Sequence, residues 1–256
     1  MVLRKIRIEN KENSKEYPFF TDLYRKGFEL EFAPITIIAG ENGVGKSTLL
    51  ESIACKVGFS AYGGNGNHKI MFSKVNKVLD HYSRISFRTV EEEMMNDYSI
   101  TTLDNTELTD YMSIEWSYKT SQGFFIRSET FANLINLKLF RDASTKSHGE
   151  GILEILYGIK EKGLFILDEP EAGLSPFKTI EMMQVILQKS KQFDAQFIIS
   201  THSPIFMCMP NCKLLEMTDR SLNQVDFKDM LHFNMTKKIL NDPEGFVNKY
   251  FCDINK

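Results

Sequence analysis

The sequence predicts an α/β fold with a mostly parallel central sheet flanked by helices, and three observations carry that expectation. Residues 40–48 read Gly-Glu-Asn-Gly-Val-Gly-Lys-Ser-Thr and join the apolar run 35–39 to a helix-forming stretch, 49–57. Residues 164–167 and 196–199 are continuous apolar runs that follow stretches of helical period, 152–161 and 176–193. Strands that are apolar throughout belong to a parallel sheet covered on both faces. Third, Ile6 and Ile8, then Phe28, Leu30 and Phe32, recur at period two, which predicts strands entering the sheet ahead of the glycine-rich loop.

The loop itself matches G-x-x-x-x-G-K-[ST] in the strand–loop–helix setting that the pattern requires. Glycines at 40, 43 and 45 allow turns that a Cβ would block, so successive N–H groups converge on phosphate oxygens. The positive end of the following helix adds to the same point. Gly40, Asn42, Gly43, Val44, Gly45, Lys46, Ser47 and Thr48 are therefore the expected triphosphate-binding residues. Lys46 reaches the β- and γ-phosphates, and the Ser47 hydroxyl is placed to ligate Mg2+.

Composition narrows the remaining classes. A net charge of −3 gives no global footprint for nucleic acid. No apolar stretch approaches the ~20 residues that span a bilayer, so no membrane insertion is expected. The alternating N-terminus, Met1 to Ile8, lacks the apolar centre of a signal peptide. Cys55, Cys208, Cys212 and Cys252 show neither metal nor disulfide spacing, and a reducing cytoplasm is the expected location.

The middle of the chain is less legible. Residues 60–67 are rich in Gly and Asn and read as a loop. Strand-like pieces fall at 85–90, 113–119 and 123–127, with a helix over 129–140. The chain reads as one domain, 1–256, with an inserted and partly β section at about 60–146. Further on, a strand at 213–217 and a helix opening near Asp242-Pro243 are expected.

Chemistry gathers where the apolar strands end. Residues 164–167 run into Asp168-Glu169-Pro170 at the carboxyl edge of the sheet, where such folds bind ligands. Adjacent side chains on a strand alternate in direction, so Asp168 can hold Mg2+ while Glu169 orients and deprotonates a water. The bland alternative is a turn broken by Pro170. The next strand ends in Ser200-Thr201-His202-Ser203-Pro204. His202 there can donate to the γ-phosphate or the attacking water, while Ser203-Pro204 reads as an N-cap with proline in the first turn. His68, His81 and His232 fall in no such cluster.

Ser147-His148-Gly149-Glu150-Gly151 has capping-box spacing, which by itself means only a well-started helix. Two glycines in the first turn cost about 1 kcal/mol each against alanine, so an ordinary cap does not call for them. They allow close backbone approach to an anion, and Ser147 and Gly149 become candidates for a second phosphate-binding surface. One nucleotide is not easily gripped by two helix N-termini from the same side. A two-fold dimer, with this segment closing over the other subunit's nucleotide, is the simplest geometry.

Together these segments resemble the ATP-binding-cassette (ABC) ATPases: the Walker A loop, a degenerate signature at 147–151, the Walker B strand with Glu169, a D-loop-like 171–176, and His202 as switch histidine. Within that superfamily the chain looks like the small stand-alone ATPases related to SMC and RecF heads. Its wording at 123–131 and 240–244 is typical of that group, so the resemblance covers nearly the whole chain. The resemblance implies a P-loop NTPase of the ABC-ATPase head type, with a mostly parallel central sheet and an antiparallel N-terminal β part. It implies ATP and Mg2+ as ligands, with Glu169, His202 and Lys46 catalytic and Ser47 and Asp168 on the metal. The chain departs from the pattern in three places. The signature is not Leu-Ser-Gly-Gly-Gln, Gln122 is the only Q-loop candidate, and Ser175 stands where many relatives carry aspartate. The heptads of an SMC arm are also missing.

The expected activity is Mg-dependent ATP hydrolysis coupled to an ATP-dependent homodimer, driving a partner protein or a nucleic-acid transaction. A nuclease or another effector is the candidate partner, and DNA a candidate substrate for the work. Two alternatives are the nucleotide-binding subunit of a membrane transporter and a low-turnover ATP switch that tethers an effector. Tyr17, Phe19, Phe20 and Tyr24, ahead of the loop, are candidates to stack on the base or to pack in the core.

Overall fold

The computed structural model describes residues 1–11, 17–59, 107–128 and 148–251, with side chains throughout except at 148–150. The strands are β1 (Leu3–Ile8), β2 (Phe28–Glu31), β3 (Ile35–Ala39), β4 (Met112–Trp116), β5 (Gly123–Arg127), β6 (Leu164–Asp168), β7 (Gln196–Thr201), β8 (Lys213–Met217) and β9 (Leu222–Gln224). The helices are α1 (Asp22–Lys26), α2 (Lys46–Val57), α3 (His148–Tyr157), α4 (Pro176–Phe193), α5 (Pro204–Met207), α6 (Leu231–Asn241) and α7 (Pro243–Phe251). The expected loop at 60–67, strand at 85–90, helix at 129–140, Ser147, His68, His81 and Cys252 lie outside the described residues.

Strands β5 to β9, together with β3, form a sheet in the order β5-β6-β7-β3-β8-β9. All its pairings are parallel except β8 with β9. Successive side chains along β6 and β7 go to opposite faces, and both faces are covered. Phe165, Leu167, Phe197 and Ile199 join Ile35 and Ile37 in a core under α3, α4 and α5. Leu164, Ile166, Ile198 and Ile38 join Leu49, Leu50 and Ile53 of α2 in the second core. This double burial is why these strands read as unbroken apolar runs. Truncating a fully buried side chain here, such as Ile37→Ala, should cost about 2–5 kcal/mol.

The period-two strands do not enter that sheet. β1 and β2 pair antiparallel with each other, and β1 pairs antiparallel with β4, in a separate three-stranded sheet ordered β2-β1-β4. Alternation marks a strand with one buried face, and β1 buries Leu3, Ile6 and Ile8 against the α2 side. Gln196, fully buried, joins the two sheets. Its side-chain carbonyl accepts from Val2 N (2.8 Å) and Leu3 N (2.7 Å), and its amide donates to Leu3 O (2.8 Å) and Ala33 O (3.2 Å).

Helix α3 begins four residues earlier than its apolar period suggested and ends at Tyr157 rather than residue 161. Gly158 N bonds to Glu154 O and Ile155 O and closes the last turn. Helix α7 opens at Pro243, where Asp242 Oδ1 accepts from Gly245 N at 2.9 Å.

Candidate functional site

Parallel pairing brings the chemistry to one edge. Ala39 at the end of β3 is level with Thr201, and Asp168 is level with Ser200. The loop 40–45, the acidic pair and His202 therefore emerge side by side at the carboxyl ends of β3, β6 and β7.

The glycine-rich loop is built for close approach. A Cβ on Gly40 would lie 2.2 Å from Met217 O, so only glycine lets the chain leave β3 against β8. Gly45 adopts φ 98° as the residue before α2, and a Cβ there would meet the Tyr24 ring at 2.7 Å. Tyr24 supports the loop from beneath, donating its hydroxyl to Gly45 O at 2.7 Å. Lys46, nearly fully buried, donates to Gly40 O (3.0 Å) and Glu41 O (2.8 Å). Burial pushes its pKa down, and the carboxylates of Glu169 and Asp168 oppose that shift.

Ser47, one residue into α2, donates to Asp168 Oδ1 at 3.2 Å. Ser200 also donates to Asp168 Oδ1, and Arg127 Nε lies 3.7 Å from Oδ2. Arg127 bonds Glu51 of α2 as well. Among the described residues no group of three or more His, Cys, Asp or Glu side chains could hold a metal alone. One hydroxyl and one carboxylate, both hard oxygen donors, suit Mg2+, which takes few protein ligands and completes its shell with phosphate and water.

Asp168 and Glu169 meet different partners, and Glu169 is not in the strand whose alternation was expected to separate them. β6 ends at Asp168, and Glu169 takes the left-handed conformation with φ 50°. Positive φ is uncommon for a non-glycine residue and marks a functional constraint more often than chance. Glu169 Oε1 lies 3.0 Å from His202 Nε2, just beyond the end of β7. Glu169 N bonds Ser200 O at 3.1 Å, and Ser128 donates to Glu169 O, which fixes the turn from both sides.

Burial, Lys46 and His232 push the His202 pKa below its ordinary value, against an opposite pull from Asp168. A neutral imidazole donating to Glu169 satisfies both the geometry and this shift. Ser203 caps α5, accepting from Phe206 N at 3.4 Å, with Pro204 in the first turn. The capping role and the site role thus fall on neighbouring residues.

Several residues near the site gave no sequence signal. His232 on α6 lies with its ring centroid 6.3 Å from that of His202, although it is 30 positions away in sequence. Arg127 ends β5 beside Asp168 and Ser128 follows it beside Glu169; in sequence they stood only within the segment 123–131 that carries the resemblance, with no site role. Gln122 is at the opposite end of the molecule's sheet. It precedes β5, and its carbonyl accepts from Leu164 N at 3.0 Å, at the amino edge. That edge is opposite the one that carries the glycine-rich loop.

The aromatic candidates divide. Phe19 and Tyr24 are fully buried and belong to the core. Tyr17 and Phe20 are more than half exposed, and their rings lie 5.8 Å apart. The Tyr17 hydroxyl bonds Thr48 Oγ1, which sets this pair beside the phosphate loop. On the other side of the sheet, Gly149 and Gly151 occupy the first turn of α3. Ser147 is outside the described residues.

Two relatives have known roles. The xylose import ATP-binding protein XylG of Moorella thermoacetica is 22% identical over 221 residues, covering 81% of this chain and 42% of XylG. The energy-coupling factor transporter ATP-binding protein EcfA3 of Clostridium perfringens is 26% identical over 176 residues, covering 66% and 59% respectively. The chain spans about half the length of these relatives. Among solved structures, the SMC head domain from Thermotoga maritima aligns with a TM-score of 0.43 at 13% identity, covering 88% of this chain and 100% of that one. Stu0660 of Streptococcus thermophilus aligns with a TM-score of 0.48 at 10% identity, covering 87% and 76%. Residues 12–224 match the model of the family described as AAA domain, and the protein belongs to that family.

Proposed function

We propose that the chain hydrolyses ATP to ADP and phosphate with Mg2+, and that it does so as an ATP-dependent homodimer. The observation that carries this reading is the meeting of Glu169 with His202 at 3.0 Å, on the edge where Lys46, Ser47 and Asp168 already converge. Loop N–H groups and the Lys46 ammonium bind the phosphates, and their fixed positions supply charge where it develops. Ser47 and Asp168 would hold Mg2+, which when bound neutralises phosphate charge. Glu169, less buried than Asp168, takes the proton of the attacking water. His202 holds that carboxylate in place.

The dimer reading rests on the α3 N-terminus. Ser147 and Gly149 of a second copy would close over the triphosphate, presenting N–H groups and the positive helix end. The work coupled to opening and closing is the movement of a protein partner or a nucleic-acid transaction, in the cytoplasm. Substituting Glu169→Gln tests both parts. Phosphate release should fall by ~10²–10⁴-fold, while gel filtration with saturating Mg-ATP should show a dimer. A variant that stays monomeric there overturns the dimer, and one that keeps turning over removes Glu169 from catalysis.

A transporter nucleotide-binding subunit is the second reading, favoured by the names of XylG and EcfA3. Co-purification with an integral membrane protein would support it. The position of Gln122 at the far edge weighs against it.

A further inference from the structure

We propose that Glu171 is a positioning residue for His202. It lies in the loop after β6, two residues beyond Glu169. Its Oε1 accepts from Thr201 Oγ1 and from Ser203 N (3.3 Å), so one carboxylate oxygen clamps the chain on both sides of His202. Thr201 Oγ1 also accepts from Ser203 N at 2.9 Å and closes the clamp on itself. Without it, His202 would be a single residue between the end of β7 and the cap of α5, with its ring direction set by neither. With it, the ring is held facing Glu169.

The clamp is costly, which argues for a purpose. Among the described residues, Glu171 Oε2 is buried and meets no hydrogen-bond partner. Leaving a buried carboxyl oxygen without a partner is destabilising, and such groups are rare enough to need a reason. Burial, with the nearby Glu169 charge adding to it, raises the Glu171 pKa despite the Thr201 and Ser203 bonds. Glutamine keeps a side-chain oxygen that can accept both bonds, and alanine removes it.

The inference rests on the catalytic reading of His202, and the experiment separates the two. Glu171→Ala should lower kcat by ~10–100-fold, the scale of an ångström-sized misplacement, with the Kd for a fluorescent ATP analogue within about twofold of wild type. Glu171→Gln should restore kcat to within about threefold of wild type. Glu171→Ala in a His202→Ala background should cost nothing further, because the clamp acts only through His202. Histidine ring NMR gives a readout apart from turnover. The His202 resonance, identified by its loss in His202→Ala, should move in Glu171→Ala and stay in Glu171→Gln, with Glu169, Lys46, Asp168 and His232 still facing it.

Additive effects, a Glu171→Gln as slow as Glu171→Ala, or an unmoved His202 resonance would each overturn the proposal. If His202→Ala itself turns over at the wild-type rate, the reading of His202 falls and takes the clamp with it. Should Glu171→Ala fail to fold, Thr201→Val removes the facing donor and is held to the same outcomes.

Discussion

His202 Nε2 lies 3.0 Å from Glu169 Oε1, and the two residues reach each other from the ends of adjacent parallel strands. The bond runs from an imidazole N–H to a carboxylate, and burial first, then Lys46 and His232, push the His202 pKa below its ordinary value.

That relationship predicts a pH response. Protonated His202 would pair as a full cation with Glu169 and lower its readiness to accept a proton. The acid limb of kcat assigned to His202 should therefore lie below the ordinary histidine range. His232→Asn removes a neighbour whose charge lowers the His202 pKa, so the limb should shift to higher pH. A limb that stays put or moves down would assign it to another group. Stability follows the same sign. The unfolded chain takes up this proton first, so His202 costs stability as pH falls from the ordinary value to its folded one.

A second prediction concerns Mg2+. Asp168→Asn should sharply raise the Mg2+ concentration that half-saturates ATP hydrolysis, because Asp168 is the carboxylate that Ser47 bonds. Arg127→Met, which removes a partner of Asp168 and of Glu51, should raise it by ~10–100-fold, the usual effect of losing an orienting group. Mg2+ titrations at fixed ATP decide this, and unchanged midpoints would take Asp168 off the metal.

The third prediction concerns the base. Tyr17 and Phe20 are exposed and lie beside the phosphate loop through the Tyr17–Thr48 bond. If they carry the adenine, replacing both with alanine should weaken ATP and ADP alike, by ~1–3 kcal/mol per stacked ring. Competition by inorganic tripolyphosphate, which has no base, should not change. Equal weakening of tripolyphosphate would mean that the pair only supports the loop.

What could be read in sequence was what a few consecutive residues decide. The loop at 40–48 carries its own geometry in its glycines, and β6 and β7 carry theirs in apolar runs that a doubly covered sheet requires. Those features gave the fold class, Lys46, Ser47, Asp168, Glu169 and His202. Period two in β1 and β2 correctly marked half-buried strands, but it holds no information on which sheet they join. They pair with each other, β1 also pairs with β4, more than 80 residues beyond β2, and the joint to the main sheet is the side chain of Gln196. The place of Gln122 was hidden for a related reason. A glutamine near a strand is legible, but the end of the strand on which it falls depends on the pairing direction.

The sequence by itself determined that a phosphate loop and an acidic strand end exist in this chain. Only the tertiary structure decided how they are used. Glu169 takes a left-handed turn beyond the strand that Asp168 ends, parallel register sets His202 beside one of the two acids, and Glu171 reaches across to hold both neighbours of that histidine. His232 arrives from a helix 30 residues further along. The physical reason is range. Backbone propensity and apolar period act over a turn or a strand, whereas hydrogen bonds and charge act across whatever the packing has brought within a few ångströms.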